Sequence, residues 1–182
     1  MTWKVYTLDA NGVLDSQPVV TKSISRFETV FGQSLDGDSV TGIDPSKLKQ
    51  STWTQDQDVA LEDGSDAVYV RSKGALIQVT DSNGGSVSFE HTETTDGGSS
   101  SSHVVASEED GTNILMAVEY ATTVGTDTTK SWVVHTLTVE GSGADAYAKI
   151  DWSKADVTSD MTSYISKFGQ NFTQDVVTTV GA

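Results

Sequence analysis

The hexapeptide WVVHTL at Trp132–Leu137 decides how this chain is interpreted, because its pattern W-x-V-x-T-L also occurs at Trp3–Leu8, as WKVYTL. Both copies alternate along the chain in the way that predicts a half-buried β-strand. Each is followed by apolar residues at helical spacing and then by the tripeptide Phe-Gly-Gln, at Phe31–Gln33 and at Phe168–Gln170. The sequence therefore predicts an internal duplication of a strand-helix-loop unit.

Each copy is predicted to contain one short helix. In the first copy Ile24, Phe27 and Phe31 lie at helical spacing, and Ser25 and Glu28 have the spacing of an N-terminal capping box. We expect both helices to pack on the sheet through their aromatic side chains. The residues at helical spacing in the second copy are Met161, Tyr164, Ile165 and Phe168.

A β meander is predicted between the two copies. Ala67–Ser72, Ala75–Thr80 and Ser86–Thr92 are β-prone runs separated by glycine-containing turns. The Gly/Ser-rich stretch Asp96–Ser102 predicts a flexible loop. The second copy is longer than the first between its Trp and its Phe, so we expect an inserted loop around Ala146–Trp152.

The predicted fold is α+β, dominated by antiparallel strands in a meander or sandwich-like arrangement, with two short helices. A further hairpin is expected where Val104–Ala106 and Ile114–Tyr120 flank an Asp-Gly turn. We divide the chain into a partial first repeat (residues 1–50), the meander (51–102) and a fuller second repeat (103–182). The meander and the second repeat can form one compact unit.

The charge of the chain argues against two classes of partner. Its 182 residues include 26 acidic and 11 basic side chains, a net charge of −15. Nucleic acids and anionic membranes would repel such a chain, and no apolar run reaches the ~18 residues of a membrane helix. Cysteine is absent, which excludes disulfides and thiolate chemistry. No Sec-type signal peptide is recognisable, and the many Ser, Thr, Asp and Gly residues are typical of bacterial proteins exported without one, so we expect an extracellular or cell-surface location.

A candidate calcium loop directly follows the first helix. Calcium loops place oxygen ligands at positions 1, 3 and 5, which Ser34, Asp36 and Asp38 occupy here. A serine replaces the usual glycine of position 6, and a proline stands at position 12 in place of glutamate. Two interpretations stay open: a calcium site, or a polar turn that kept the backbone shape without the ion. The equivalent residues of the second copy, which we expect to be metal-free, are Asn171, Thr173 and Asp175.

No catalytic constellation is recognisable in the sequence. His91, His103 and His135 have no metal-ligand spacing, although His91 shares one face of its predicted strand with Glu93. A nucleophile elbow and the Walker and dinucleotide glycine motifs are also absent. The sequence therefore does not predict an enzyme.

The four tryptophans indicate an alternative function. Trp3 and Trp132 begin equivalent strands, which favours a repeated structural contact for both. Trp53 and Trp152 have no such constraint, and an exposed indole ring can stack on a sugar. The alternative prediction is therefore a carbohydrate-binding module that recognises cell-surface glycans.

The motifs resemble a known family, the tryptophan-rich Synechocystis-type C-terminal domain that is repeated in large bacterial secreted proteins. That family has a Trp strand followed by Leu-Asp-x-Asn-Gly, a short helix and FGQDLNGDGxxG. Here Trp3–Leu8 continues as Asp9-Ala10-Asn11-Gly12, and Phe31–Gly42 reads FGQSLDGDSVTG. The resemblance implies a secreted, repeat-built module associated with calcium, and it implies nothing about catalysis.

The first copy lacks the strands that precede Trp132 in the second copy, so the strand at Trp3–Leu8 needs a partner edge. Either the central meander or a neighbouring chain supplies this edge. In the second case the chains assemble head to tail into a filament or array. The sequence-based prediction is thus a structural or adhesive module whose partner is a second copy of itself.

Overall fold

The structure is a computed structural model, described here for residues 1–15, 17–50, 58–170 and 172. Eleven strands and two short α-helices lie within these residues. The strands are β1 (Trp3–Val5), β2 (Val19–Thr21), β3 (Leu48–Gln50), β4 (Val59–Glu62), β5 (Val68–Ser72), β6 (Ala75–Thr80), β7 (His91–Thr95), β8 (Gly98–Asp110), β9 (Asn113–Val124), β10 (Asp127–Glu140) and β11 (Tyr147–Thr158). The helices are α1 (Ser25–Phe31) and α2 (Ile165–Phe168). Neither helix is long and apolar enough to cross a bilayer.

Nine of these strands form one sheet, in the order β3-β4-β5-β6-β11-β10-β9-β8-β7. Every neighbouring pair is antiparallel except β6 and β11, which run parallel. The sheet takes strands from all three predicted segments of the chain, and β1 and β2 form a separate two-stranded ribbon. The prediction of a β-rich, mainly antiparallel fold with two short helices is confirmed.

The large sheet curls on itself and encloses the main core. Buried apolar side chains of β4, β5 and β6 pack in one cluster with those of β8 to β11. Hydrogen bonds between described residues join the curled halves, for example from Ser107 Oγ to the Asp58 carbonyl at 3.0 Å and from the Lys73 amide to Glu109 Oε1 at 2.7 Å. We call the enclosed face of the sheet its inner face.

Helix α2 covers the outer face of β8, β9 and β10. Phe168, only 2% exposed, packs there with Met161 and Trp132 against small and branched side chains of the sheet. Tyr164 packs at the edge of the same cluster and donates to Asp156 Oδ2 at 2.5 Å. The predicted packing of this helix through Tyr164 and Phe168 is correct, and Trp132 is a core residue as expected.

Helix α1 packs differently from its prediction. Phe31 is 54% exposed, so the expected contact with the sheet is wrong for this residue, and Phe27 is half-buried. The polar residue Ser25 faces the sheet instead, where its hydroxyl donates to Glu62 Oε1 at 2.9 Å. The predicted capping box is also wrong, because Ile24 is the N-cap residue and no side chain caps the helix. A buried carboxylate on β4 draws the polar face of α1 inward.

Both helices end in the same way. Gly32 and Gly169 follow the two phenylalanines with φ angles of 66° and 64°, the left-handed conformation that ends a helix and favours glycine. The repeated Phe-Gly-Gln tripeptide is therefore a repeated helix C-cap. The strands before the helices differ in context, since β1 belongs to the ribbon and β10 lies inside the large sheet. The duplication of the whole unit stays a prediction.

Three local predictions are corrected by strand pairing. Ser86–Thr92 is not a strand of the meander: Ser86 forms a single bridge with Thr80, and the strand begins at His91 and pairs with β8. The predicted loop Asp96–Ser102 is mostly strand, because Gly98–Ser102 pairs with β7 on one side and β9 on the other. The predicted loop around Ala146–Trp152 forms the start of β11. Main-chain pairing on a sheet overrides low β-propensity.

The strand at Trp3 finds its partner in the N-terminal segment. Trp3 pairs with Thr21, and Val5 pairs with Val19, in an antiparallel ribbon. Strand β2 of the same chain supplies this edge, so neither the central meander nor a neighbouring chain is its partner here. A second bridge joins Leu8 to Leu14 across the connecting hairpin.

Candidate functional site

The loop after α1 is built around one buried carboxylate. Glu28 is completely buried. Its Oε1 accepts the amide hydrogens of Leu35 at 2.6 Å and Asp36 at 3.1 Å, and its Oε2 accepts that of Gly42 at 3.2 Å. The carboxylate thus holds both ends of the loop and accepts from one buried and two partly buried backbone N–H groups.

The backbone of this loop has the turn that a calcium loop requires. Ser39 stands at the position of the usual glycine and keeps a positive φ of 70°. Gly42 has a φ of 94°, and a Cβ at this residue would lie 2.7 Å from Thr29 Oγ1. The φ angle favours glycine at 42, and the nearby Thr29 hydroxyl leaves little room for a Cβ, while Ser39 adopts a conformation that costs a serine energy.

The three predicted ligands are brought together. Ser34 Oγ donates to Asp38 Oδ1 at 3.2 Å and accepts the amide hydrogen of Ser39 at 3.2 Å. Asp36 Oδ1 accepts the amide hydrogen of Asp38 at 3.1 Å, and Asp38 Oδ1 accepts that of Val40 at 2.8 Å. These contacts use one oxygen of each aspartate and leave Oδ2 of both for a cation.

The cation at this point is the ammonium of Lys47. Lys47 Nζ donates to Asp36 Oδ2 and to Asp38 Oδ2, both at 2.6 Å. The short 3₁₀ turn Pro45–Lys47 positions it, and Asp44 caps that turn by accepting the Ser46 amide hydrogen. The chain beyond the loop thus turns back and delivers a positive charge to the place where a calcium loop holds its ion.

The contact between Lys47 and the two aspartates shifts the pKa values of Asp38 and Lys47. The hydrogen bond from Lys47 and the bond from the Val40 amide lower the pKa of Asp38 from 3.8 to about 2. The two aspartates in turn raise the pKa of Lys47 above its ordinary value. The Asp38 side chain is only 12% exposed, so water screens this pair less than an open surface pair. The loop is held by a charge-assisted pair within the chain.

Carboxylate oxygens of Glu28, Asp36 and Asp38 lie within 4.8 Å of one another. Calcium takes six to eight oxygen ligands, and Glu28 already accepts three backbone N–H groups. An ion could bind only if Lys47 moved out, so calcium at Ser34, Asp36 and Asp38 stays a prediction. The equivalent positions of the second copy, Asn171, Thr173 and Asp175, lie outside the described residues.

Sequence reasoning missed Glu28 and Lys47. The sequence did place a carboxylate, Glu28, on the helix just before the loop. Its spacing from Ser25 also fits a capping box, and Glu28 was interpreted in that way. Lys47 had none, because it lies beyond the loop and reaches back only through the 3₁₀ turn.

A second candidate site lies beside Trp152. Its indole is half exposed and borders an open cleft of about 420 Å³ at the end of β6, with Asp151, Ser153 and Glu140 among the lining residues. One side of the ring contacts His135 edge-on, with centroids 5.3 Å apart. Trp53, the other predicted sugar-stacking residue, lies outside the described residues. Trp3 is half-buried.

The three histidines lie on three different strands, β7, β8 and β10. His91 and Glu93 lie on one face of β7 as predicted, with Nε2 and Oε2 3.8 Å apart, and both are exposed. His103 Nδ1 lies 2.8 Å from Glu90 Oε2. His135 is buried beside Trp152, and burial lowers its pKa. Among the described residues no histidine joins a three-ligand metal cluster.

No family model, curated protein or solved structure matches this chain. The resemblance of its motifs to the tryptophan-rich Synechocystis-type repeats therefore stays a prediction that rests on the sequence motifs.

Proposed function

We propose that this protein is a non-enzymatic structural or adhesive module of a bacterial secreted or surface protein, which associates head to tail with further copies of itself. The observation that carries the proposal is the open edge of β11. Tyr147, Ala148 and Lys149 pair with β6. Beyond Lys149, no described strand lies on the β6 side of β11, while Ile150, Asp151 and residues 156–158 pair with β10 on the other side. An open edge presents main-chain donors and acceptors to a further strand.

The side chains along this edge favour a selective contact. Asp151, Lys154 and Asp156 place charges of both signs on the part of β11 that lies beyond its pairing with β6. Charged residues on an edge disfavour indiscriminate pairing, so a partner has to match them in register. A head-to-tail contact of identical chains repeats one such match and extends without closing.

Observations other than the edge of β11 support the proposed extracellular location and the proposed association with calcium. Composition and the motif resemblance favour export, and the backbone of the loop at Ser34–Gly42 keeps the turn that calcium loops use. In this proposal calcium displaces Lys47 from Asp36 and Asp38 outside the cell, where millimolar calcium is present.

Sedimentation velocity over a range of protein concentrations tests the proposal, with parallel runs in EDTA and in millimolar calcium. We expect the sedimentation coefficient to rise with concentration. A strictly monomeric protein at every concentration and in both buffers would contradict self-association.

A carbohydrate-binding module is the second candidate, favoured by the half-exposed Trp152 beside its cleft. A stacking indole would change its fluorescence when a glycan binds. Glycan titrations of the intact protein, of Trp152→Ala and of the control Trp3→Phe test this function. A signal that survives in Trp152→Ala would exclude this cleft.

A further inference from the structure

A hairpin near the N-terminus is exposed and is held by local hydrogen bonds. The amide of Asp15 donates to the Thr7 carbonyl at 2.8 Å, and the amide of Asp9 donates to the Val13 carbonyl at 2.9 Å. Asp9 Oδ1 also accepts the amide hydrogens of Asn11 and Val13, both at 2.8 Å. The turn therefore holds its shape through local hydrogen bonds.

This hairpin exposes its large apolar side chains. The exposed fractions of Tyr6, Leu8, Val13 and Leu14 lie between 48% and 62%. Apolar area left in water forgoes about 25 cal/mol per Å², so the exposed apolar side chains of this hairpin, with Leu8 and Leu14 paired on one face, favour a contact. We call these four residues the hairpin surface.

A second exposed apolar surface lies on the inner face of the sheet, where β9, β10 and β11 extend past the core. Val118 is a core residue, and Val133 lies opposite it and also opposite Val157, so all three share the inner face. Tyr120 and Val124 lie two and six residues after Val118 on β9, so their side chains point to the same face as that of Val118.

Trp152 belongs to the same face, because its ring packs against the core residue Phe89, with centroids 6.3 Å apart. The exposed fractions of Tyr120, Val124, Trp152 and Val157 lie between 39% and 71%. We call these four residues the extension surface. Val157 and Trp152 also lie on the open edge of β11.

Charge indicates which part of a second copy can approach the extension surface. Lys4 and Lys22 balance Asp9 and Asp15, so the first 24 residues carry no net side-chain charge. The remainder of the chain carries the whole net charge of −15. The N-terminal hairpin is thus the apolar part of the molecule that can approach another copy with the least repulsion.

We propose that the hairpin surface of one copy docks on the extension surface of the next copy, beside the open edge of β11. This inference rests on the proposed self-association and names its two faces. Both surfaces are exposed on every copy. When two copies dock, one copy keeps a free hairpin surface and the other keeps a free extension surface, and each can bind a further copy. Such a heterologous contact produces an open, head-to-tail chain.

The test uses two variants that each remove one surface. Leu8→Asp with Leu14→Lys breaks the hairpin surface and places opposite charges across the Leu8–Leu14 bridge, and Val124→Lys, which faces Asp127, with Val157→Asp breaks the extension surface. All four residues are more than half exposed, so circular dichroism and the melting temperature are expected to stay those of the wild type. The control is Val30→Asp, which is equally exposed on α1 and outside both surfaces.

Sedimentation velocity is measured from about 10 μM to about 1 mM, because a contact this small is expected to be weak. We expect each double variant alone to lose association by roughly tenfold or more, and Val30→Asp to associate like the wild type. A mixture of the two double variants should form dimers that grow no further, because one intact hairpin surface meets one intact extension surface.

Two results would overturn the inference, and they differ. If the wild type assembles and both double variants assemble equally well, the surfaces are assigned wrongly while self-association stands. If the wild type stays monomeric throughout, the proposed function fails and the inference fails with it.

Discussion

Lys47 Nζ lies 2.6 Å from Asp38 Oδ2 and so stands at the place where a calcium loop would hold its ion. The same ammonium contacts Asp36 at an equal distance. A loop whose sequence indicates calcium is therefore stabilised by a cation from its own chain. Substitution of Lys47 therefore distinguishes a calcium site from a polar turn that binds no ion.

Lys47→Met is expected to lower the melting temperature in EDTA, because Asp36 and Asp38 then face each other without a positive charge between them. Calcium should raise the melting temperature of this variant more than that of the wild type, since no ammonium has to be displaced. Thermal unfolding in EDTA and in millimolar calcium measures both effects. The control is Lys49→Met, which removes a more exposed pair with Asp63. An equal calcium response in all three proteins would contradict the role of Lys47.

The pH dependence of the loop should follow Asp38. Its folded-state pKa of about 2 is lower than its ordinary 3.8, so its contribution to stability is full above 3.8 and is lost as pH falls towards 2. An NMR titration of the Asp38 carboxyl carbon measures this pKa directly. In Lys47→Met the pKa should move up towards 3.8. An unchanged pKa would mean that the Val40 amide alone lowers it.

Glu28→Ala is expected to destabilise the protein by on the order of 3 kcal/mol, since three backbone N–H groups lose their acceptor. Urea unfolding measures the loss, and hydrogen exchange should accelerate at the amides of Leu35, Asp36 and Gly42. The control is Glu93→Ala, a carboxylate exposed on β7. Unchanged exchange at the three amides would show that the loop does not depend on Glu28.

The two phenylalanines of the repeated tripeptide should respond unequally. Phe168→Ala empties a buried position on the outer face of the sheet and is expected to cost about 3–5 kcal/mol. Phe31→Ala removes a side chain that is mostly exposed and should cost less than about 0.5 kcal/mol. Urea unfolding compares the two variants, each serving as the control for the other. Equal losses would mean that α1 packs as tightly as α2.

Local features were predictable from the sequence because neighbouring residues decide them. The Lys73-Gly74 turn between β5 and β6 lies where its dipeptide predicts a hairpin, and the hairpin of β8 and β9 turns at Gly111-Thr112, one residue beyond the Asp110-Gly111 that predicted it. The two helix ends at Gly32 and Gly169 follow in the same way, since only glycine adopts the left-handed conformation without steric cost. The alternation of apolar residues likewise predicted a β-rich protein.

Tertiary structure alone decided the features that join distant segments. Phe31 and Phe168 belong to the same sequence motif, yet Phe31 is exposed and Phe168 is buried. Helix α1 turns Ser25 inward because Ser25 bonds to Glu62 on β4, whereas α2 packs on apolar side chains. Lys47 reaches the loop only after the chain turns back on itself. The strand at Gly98–Ser102 exists because two neighbouring strands supply its hydrogen bonds. Such contacts depend on where the fold places each partner, and no pattern of neighbouring residues records that placement.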